Sequence, residues 1–130
     1  ISAERDDGLV AIDESQFVRE SIPDSTTMAP GERFVKEWEV RNAGQVAWLG
    51  RRLVRMGSLD APTLPKSPPW IEIPETRPGA AVRLRVEMEA PIVEGSSVVT
   101  WKMVYPNGAL CFPDRYPYGL TVFIETRIAR

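Results

Sequence analysis

The 130-residue chain has no histidine, one cysteine (Cys111) and three lysines (Lys36, Lys66 and Lys102). Without histidine there is no imidazole to serve as a general base, no Ser-His-Asp triad and no supply of the commonest metal ligand. A single thiol excludes an intramolecular disulfide and any zinc site built from several thiolates, and it suits a reducing compartment. Neither Ser-x-x-Lys nor Gly-x-Ser-x-Gly occurs, and the glycine-containing turns lead into or follow strands rather than opening a helix that would hold phosphate. No apolar run approaches the roughly 18 residues of a membrane span. A cytoplasmic location is therefore expected, with a membrane-anchored parent left open because the start at Ile1 suggests a piece of something longer.

Charge is also scarce in net terms. Sixteen basic and 18 acidic residues leave a formal charge of -2, which gives no electrostatic case for direct nucleic acid binding by this chain. Glu37 with Glu39, and Glu87 with Glu89, superficially resemble paired catalytic acids, but both pairs fall on strand faces that alternate with arginine, where a solvated face is the default. Asp6, Asp7, Asp13 and Glu14 lack calcium-loop spacing. The expectation is a protein that is not an enzyme, with no cofactor and no metal.

What the chain does have is period-two patterning. In "RFVKEWEV", Phe34, Lys36, Trp38 and Val40 share one face, and Val35, Glu37, Glu39 and Arg41 share the other. Lys36 sits on the apolar face, which leaves two resolutions open: an amine snorkelling at the sheet margin, or a bulge that shifts the phase. "AVRLRVEMEAP" places Val82, Leu84, Val86 and Met88 opposite Arg83, Arg85, Glu87 and Glu89. In "VVTWKMVY", Val99, Trp101, Met103 and Tyr105 alternate with Val98, Thr100, Lys102 and Val104. "QFVRE", "RLVRMG", "WIEIP" and "LTVFIETRI" read as further strands, "PNG" at 106–108 as a hairpin turn, and "SIPDSTTMAPGE" and "SLDAPTLPKSPP" as loops. No segment carries a sustained 3.6-residue period. The fold class is therefore all-β, an immunoglobulin-like antiparallel β-sandwich without an inter-sheet disulfide, with residues 1–14 a linker or N-terminal arm and 15–130 the domain.

Trp38 and Trp101, each on an apolar strand face, are core residues on this reading. Trp48 follows the Asn-Ala-Gly break and either packs inward or reaches a surface, and Trp70, between prolines, is equally open. An exposed tryptophan near arginine is the composition of an interface hot spot. The candidate partner-binding residues are thus Trp48, Arg51, Arg52, Arg55 and Trp70, joined by Arg115, Tyr116 and Tyr118 from the irregular "CFPDRYPYG". The partner expected is a protein or peptide. Carbohydrate or cell-wall binding is the alternative, because exposed aromatics stack on sugar faces.

The spacing Phe34, Lys36, Trp38, Val40, Asn42, Gly44, Trp48, followed at a distance by Trp101 in "PIVEGSSVVTWKMVYPNG", resembles the four-tryptophan domain, the immunoglobulin-like module of the next-to-BRCA-one autophagy receptor family. The resemblance implies a non-catalytic interaction module in which Trp38, Trp48 and Trp101 mainly brace the sandwich. "RNAGQVAWLGRRLVRMG" and "CFPDRYPYGL" look closer to bacterial, notably actinobacterial, members. That implies the C-terminal part of a bacterial regulatory protein, such as one with an N-terminal helix-turn-helix domain.

Overall fold

A computed structural model of the chain describes residues 2–4, 10–112 and 119–129. Ten strands are assigned: β1 (Ser2–Glu4), β2 (Val10–Ile12), β3 (Ser15–Glu20), β4 (Thr26–Met28), β5 (Arg33–Asn42), β6 (Arg52–Arg55), β7 (Trp70–Glu72), β8 (Ala81–Glu89), β9 (Gly95–Val104) and β10 (Leu120–Thr126). One sheet has the order β3-β5-β8, the second β4-β10-β9-β6-β7, and β1 pairs with β2 in a small antiparallel ribbon. All pairings are antiparallel except β4 on β10.

The alternation in the sequence becomes the inside and outside of this sandwich. On β5 the buried positions are Lys36, Trp38, Val40 and Asn42; on β8 they are Leu84, Val86 and Met88; on β9 they include Val99, Trp101 and Met103. The rings of Trp38 and Trp101 meet between the sheets at 6.3 Å with planes inclined by 58°, in the tilted geometry that aromatic pairs favour. Leu53, Val122 and Ile124 complete the core from β6 and β10.

Two expectations change here. "TTM" inside the stretch read as a loop forms β4, a strand of three residues whose partner, β10, lies about a hundred residues further on in sequence. Lys36 neither snorkels nor sits at a bulge: it is 0% exposed and its β5-β8 register is regular. Its ammonium donates to the carbonyls of Ser21 at 2.6 Å and Ile22 at 2.7 Å and pairs with Glu20 at 3.5 Å. Burial lowers its pKa, while Glu20 and then Asp24 act against that shift. The bound carbonyls belong to a turn in which Ile22 has φ of 51°, a left-handed conformation that a β-branched residue rarely adopts.

Asn42 closes the other end of β5. Fully buried, it donates through Nδ2 to the carbonyls of Val46 (2.8 Å) and Thr76 (3.0 Å) and accepts from the Gly44 amide at 3.1 Å. Gly44 has no room for a side chain, since a Cβ there would stand 2.5 Å from the Ile12 carbonyl oxygen. The signature residues Asn42 and Gly44 therefore hold the chain that precedes β3 against the end of the sandwich. Asp13, grouped with the arm in the sequence reading, is itself buried in this packing.

Candidate interaction surface

The three arginines proposed as one surface cluster have different fates. Arg51 is 4% exposed; its guanidinium reaches Asp13 and lies 4.7 Å from the Tyr105 ring and 6.0 Å from the Trp48 ring. Arg55 is 5% exposed and ties down the proline-rich excursion between β6 and β7, donating to the carbonyls of Pro65 and Ser58 and to the Ser67 hydroxyl. Burial pushes its pKa down. Trp48 is fully buried, bridged by its backbone to Thr76. Trp48, Arg51 and Arg55 are thus corrected from surface candidates to packing residues, because Trp48 is held by Thr76, Arg51 by Asp13 and Tyr105, and Arg55 by the loop that follows β6. Arg115, Tyr116 and Tyr118 lie outside the described residues.

Arg52 and Trp70 remain at the surface together. β6 pairs with β7 so that Val54 faces Trp70 and Arg52 faces Glu72, which makes Arg52 and Trp70 diagonal neighbours on the outer face. The guanidinium stands 4.2 Å from the indole centroid, a cation–π contact, and Trp70 remains 39% exposed. Extending from this pair across the five-stranded sheet are Val54, Lys102 opposite it, the Thr100–Thr121 pair and the Val98–Phe123 pair. Val98, placed by its parity only, and Phe123 were not among the surface candidates in the sequence. The available signal was an apolar residue on the mainly polar parity of each strand.

The outer face of the three-stranded sheet is of the opposite character. Arg19 and Arg83 both approach Glu39, Arg85 approaches Glu37, and Arg33 and Lys66 approach Glu89, all at 3.5–3.9 Å. Such exposed pairs contribute about 0–1 kcal/mol each and keep the face hydrated. The sandwich therefore has one face laddered with ion pairs and one on which charged residues are interspersed with valine, threonine and aromatic side chains.

Between the sheets a cavity of about 230 Å³ is lined by Val40 and Leu84 from one side and Leu53, Trp101 and Met103 from the other, with Phe17, Phe112 and Leu120 at its rim. Its walls are mainly apolar and bring no acid and base together. Cys111 is buried, and its thiol pKa is raised to about 12, chiefly by burial, so it is not a poised nucleophile. Among the described residues no group of three or more Cys, Asp or Glu side chains is placed to hold a metal ion, and no helix is long and apolar enough to cross a membrane.

Two antiparallel-rich sheets around a tryptophan core define an immunoglobulin-like β-sandwich. Comparison with known proteins is more specific. The family described as "Ig-like domain from next to BRCA1 gene" matches residues 21–122, and the chain belongs to that family. It is 30% identical over 89 residues to the Next to BRCA1 gene 1 proteins of Rattus norvegicus and Homo sapiens, an alignment covering 67% of this chain and 9% of each relative. The chain thus spans about a tenth of the length of these curated relatives.

Proposed function

We propose that the chain is a non-catalytic module that binds a protein or peptide through the outer face of the five-stranded sheet, with Trp70 and Arg52 at the centre of the contact. The observation that carries this reading is the exposed Trp70 ring with the Arg52 guanidinium stacked at 4.2 Å, on a face that continues through Val54, Lys102, Thr100, Thr121, Val98 and Phe123. Tryptophan and arginine dominate interface energetics because each buries a large area while keeping a polar or charged handle. The family membership supports the same class of function.

The finer reading keeps the sequence-based context: a cytoplasmic bacterial regulatory protein of which this is the C-terminal part, with nucleic acid contacted, if at all, by another domain. In this proposal the domain begins at Asp13 rather than at Ser15. Carbohydrate binding is the second reading. Of the aromatics it calls on, Trp70, Tyr116 and Tyr118, only Trp70 is among the described residues, and its ring already has Arg52 stacked against it.

The test is affinity capture on the immobilised domain and on an Arg52→Ala, Trp70→Ala double variant, beside a glycan array. Loss of a retained protein with little change in melting temperature supports the reading. Equal capture by both forms removes this face, and glycan binding lost with Trp70→Ala moves the assignment to sugars.

A further inference from the structure

Among the described residues the two sheets of the sandwich end in four edge strands, and three are blunted. β4 and β7 have three residues each, β7 standing between Pro69 and Pro74, and β3 is bulged between Phe17 and Arg19. Short, proline-flanked or bulged edges resist pairing with another chain. β8 is different: nine residues without proline or bulge, in unbroken register with β5.

The hydrogen-bond phase shows which backbone groups of β8 face outward. Asn42 N–H donates to Ala80 O and Ala90 N–H to Glu32 O, so the even-numbered residues of β8 exchange bonds with β5 and the odd-numbered ones point away. Glu89 confirms the phase, exchanging both of its bonds with Lys66 on the far side. Continued in the same antiparallel register, that ladder would put Pro68 opposite Glu87, and proline has no N–H to give. The chain instead crosses to the other sheet, where Pro69 O accepts from Arg55 N–H and β7 begins. The outward amides and carbonyls of Arg83, Arg85 and Glu87 are left without a backbone partner among the described residues.

We propose that this edge of β8 binds an extended peptide by antiparallel strand addition, selecting from N to C terminus a basic, apolar, acidic, apolar, acidic pattern. The charges follow from the register. The basic residue falls opposite Glu87, and the two acids fall opposite Arg85 and Arg83, whose side chains are 67% and 68% exposed and are shared with Glu37 and Glu39 at 3.5 Å. The chain itself sets the precedent one step along the same edge, where Lys66 faces Glu89. The apolar positions flank Val86 and Leu84, two of the buried residues of β8. Main-chain bonds supply affinity and alternate side chains supply selectivity, as in other strand-addition sites. The site is separate from the Trp70 surface, so either assignment can fail alone.

The experiment is NMR on the whole chain with a capped heptapeptide, Thr-Lys-Val-Glu-Val-Glu-Thr. In the free protein the amides of Arg83, Arg85 and Glu87 should exchange with solvent quickly while those of Val82, Leu84 and Val86 are protected. Peptide should slow the first three and shift their resonances. N-methylation of the first glutamate, whose amide faces Arg85, should weaken binding roughly tenfold or more, whereas N-methylation of the valine before it, whose amide points away, should not. Prior protection of Arg83, Arg85 and Glu87, equal binding of the two N-methylated peptides, or no shift along β8 at millimolar peptide would each overturn the proposal. Persistence of the shifts in Trp70→Ala would show that they do not come from the other surface.

Discussion

The Arg51 guanidinium grips the Asp13 carboxylate at two points, an Nη1 hydrogen bond to Oδ1 at 3.0 Å and an Nη2–Oδ2 ion-pair contact at 2.9 Å, both side chains being buried. The Tyr105 hydroxyl donates to Oδ2 of the same carboxylate at 2.8 Å. A residue from the chain before β3 is thereby fixed to the β9 end of the five-stranded sheet. Removing one partner leaves the other as an uncompensated buried charge, a cost of about 3–5 kcal/mol. Arg51→Ala and Asp13→Ala should each lower the urea midpoint by a corresponding amount, while Arg52→Ala, one position along and exposed, should move it little. Comparable midpoints for Arg51→Ala and Arg52→Ala would show that the grip contributes nothing in solution.

Alkaline pH should loosen the same corner. Burial, then the hydrogen bond to Asp13, raises the Tyr105 pKa from 10.0 to about 12, and burial raises that of Cys111 from 9.0 to about 12. Both groups hold their protons more tightly when folded, so the stability they confer is complete below about pH 9 and is lost as pH rises towards 12. Lys36, with its pKa lowered, acts in the opposite sense as pH approaches 10.5. The clean readout is therefore a difference: urea midpoints between pH 8 and pH 11 should fall less for a Tyr105→Phe, Cys111→Ala variant than for the parent.

The buried Lys36 ammonium should be worth more as a hydrogen-bond donor than it costs as a charge. Lys36→Met keeps the length and apolar stem but strips the Ser21 and Ile22 carbonyls of their donor. We expect a loss of about 1–3 kcal/mol with faster amide exchange in the turn around Ile22. An unchanged or raised midpoint would mean that desolvation of the amine cancels its bonds.

At the other end of β5, Asn42→Ala should cost about 2–3 kcal/mol, because it leaves the Val46 and Thr76 carbonyls without the Nδ2 donor inside the protein. Asn42→Asp should do no better, since a carboxylate can accept from Gly44 but cannot donate to those carbonyls. Gly44→Ala should destabilise independently by forcing the Ile12–Glu14 backbone away. Calorimetric melting of the three variants checks the set; a native-like Asn42→Asp would show that the donated bonds are dispensable.

Period-two alternation determined a good deal by itself. It placed Phe34, Lys36, Trp38 and Val40 on one face of β5, Leu84, Val86 and Met88 on the inward side of β8, and Trp101 inside, because a strand's side chains alternate whatever the strand is paired with. The absence of histidine and of a second cysteine likewise needed no structure to narrow the chemistry. Tertiary structure alone decided which polar residues are structural. Arg51, Arg52 and Arg55 are nearly indistinguishable in sequence, yet Arg51 closes on Asp13, Arg55 on the carbonyls of Ser58 and Pro65, and Arg52 stays outside on Trp70. The same holds for the β8 edge, where the chain that faces Glu89 at Lys66 crosses by Pro69 to the other sheet. Local sequence sets the direction of a side chain, whereas burial of a charge depends on whether a distant segment brings the groups that repay its desolvation.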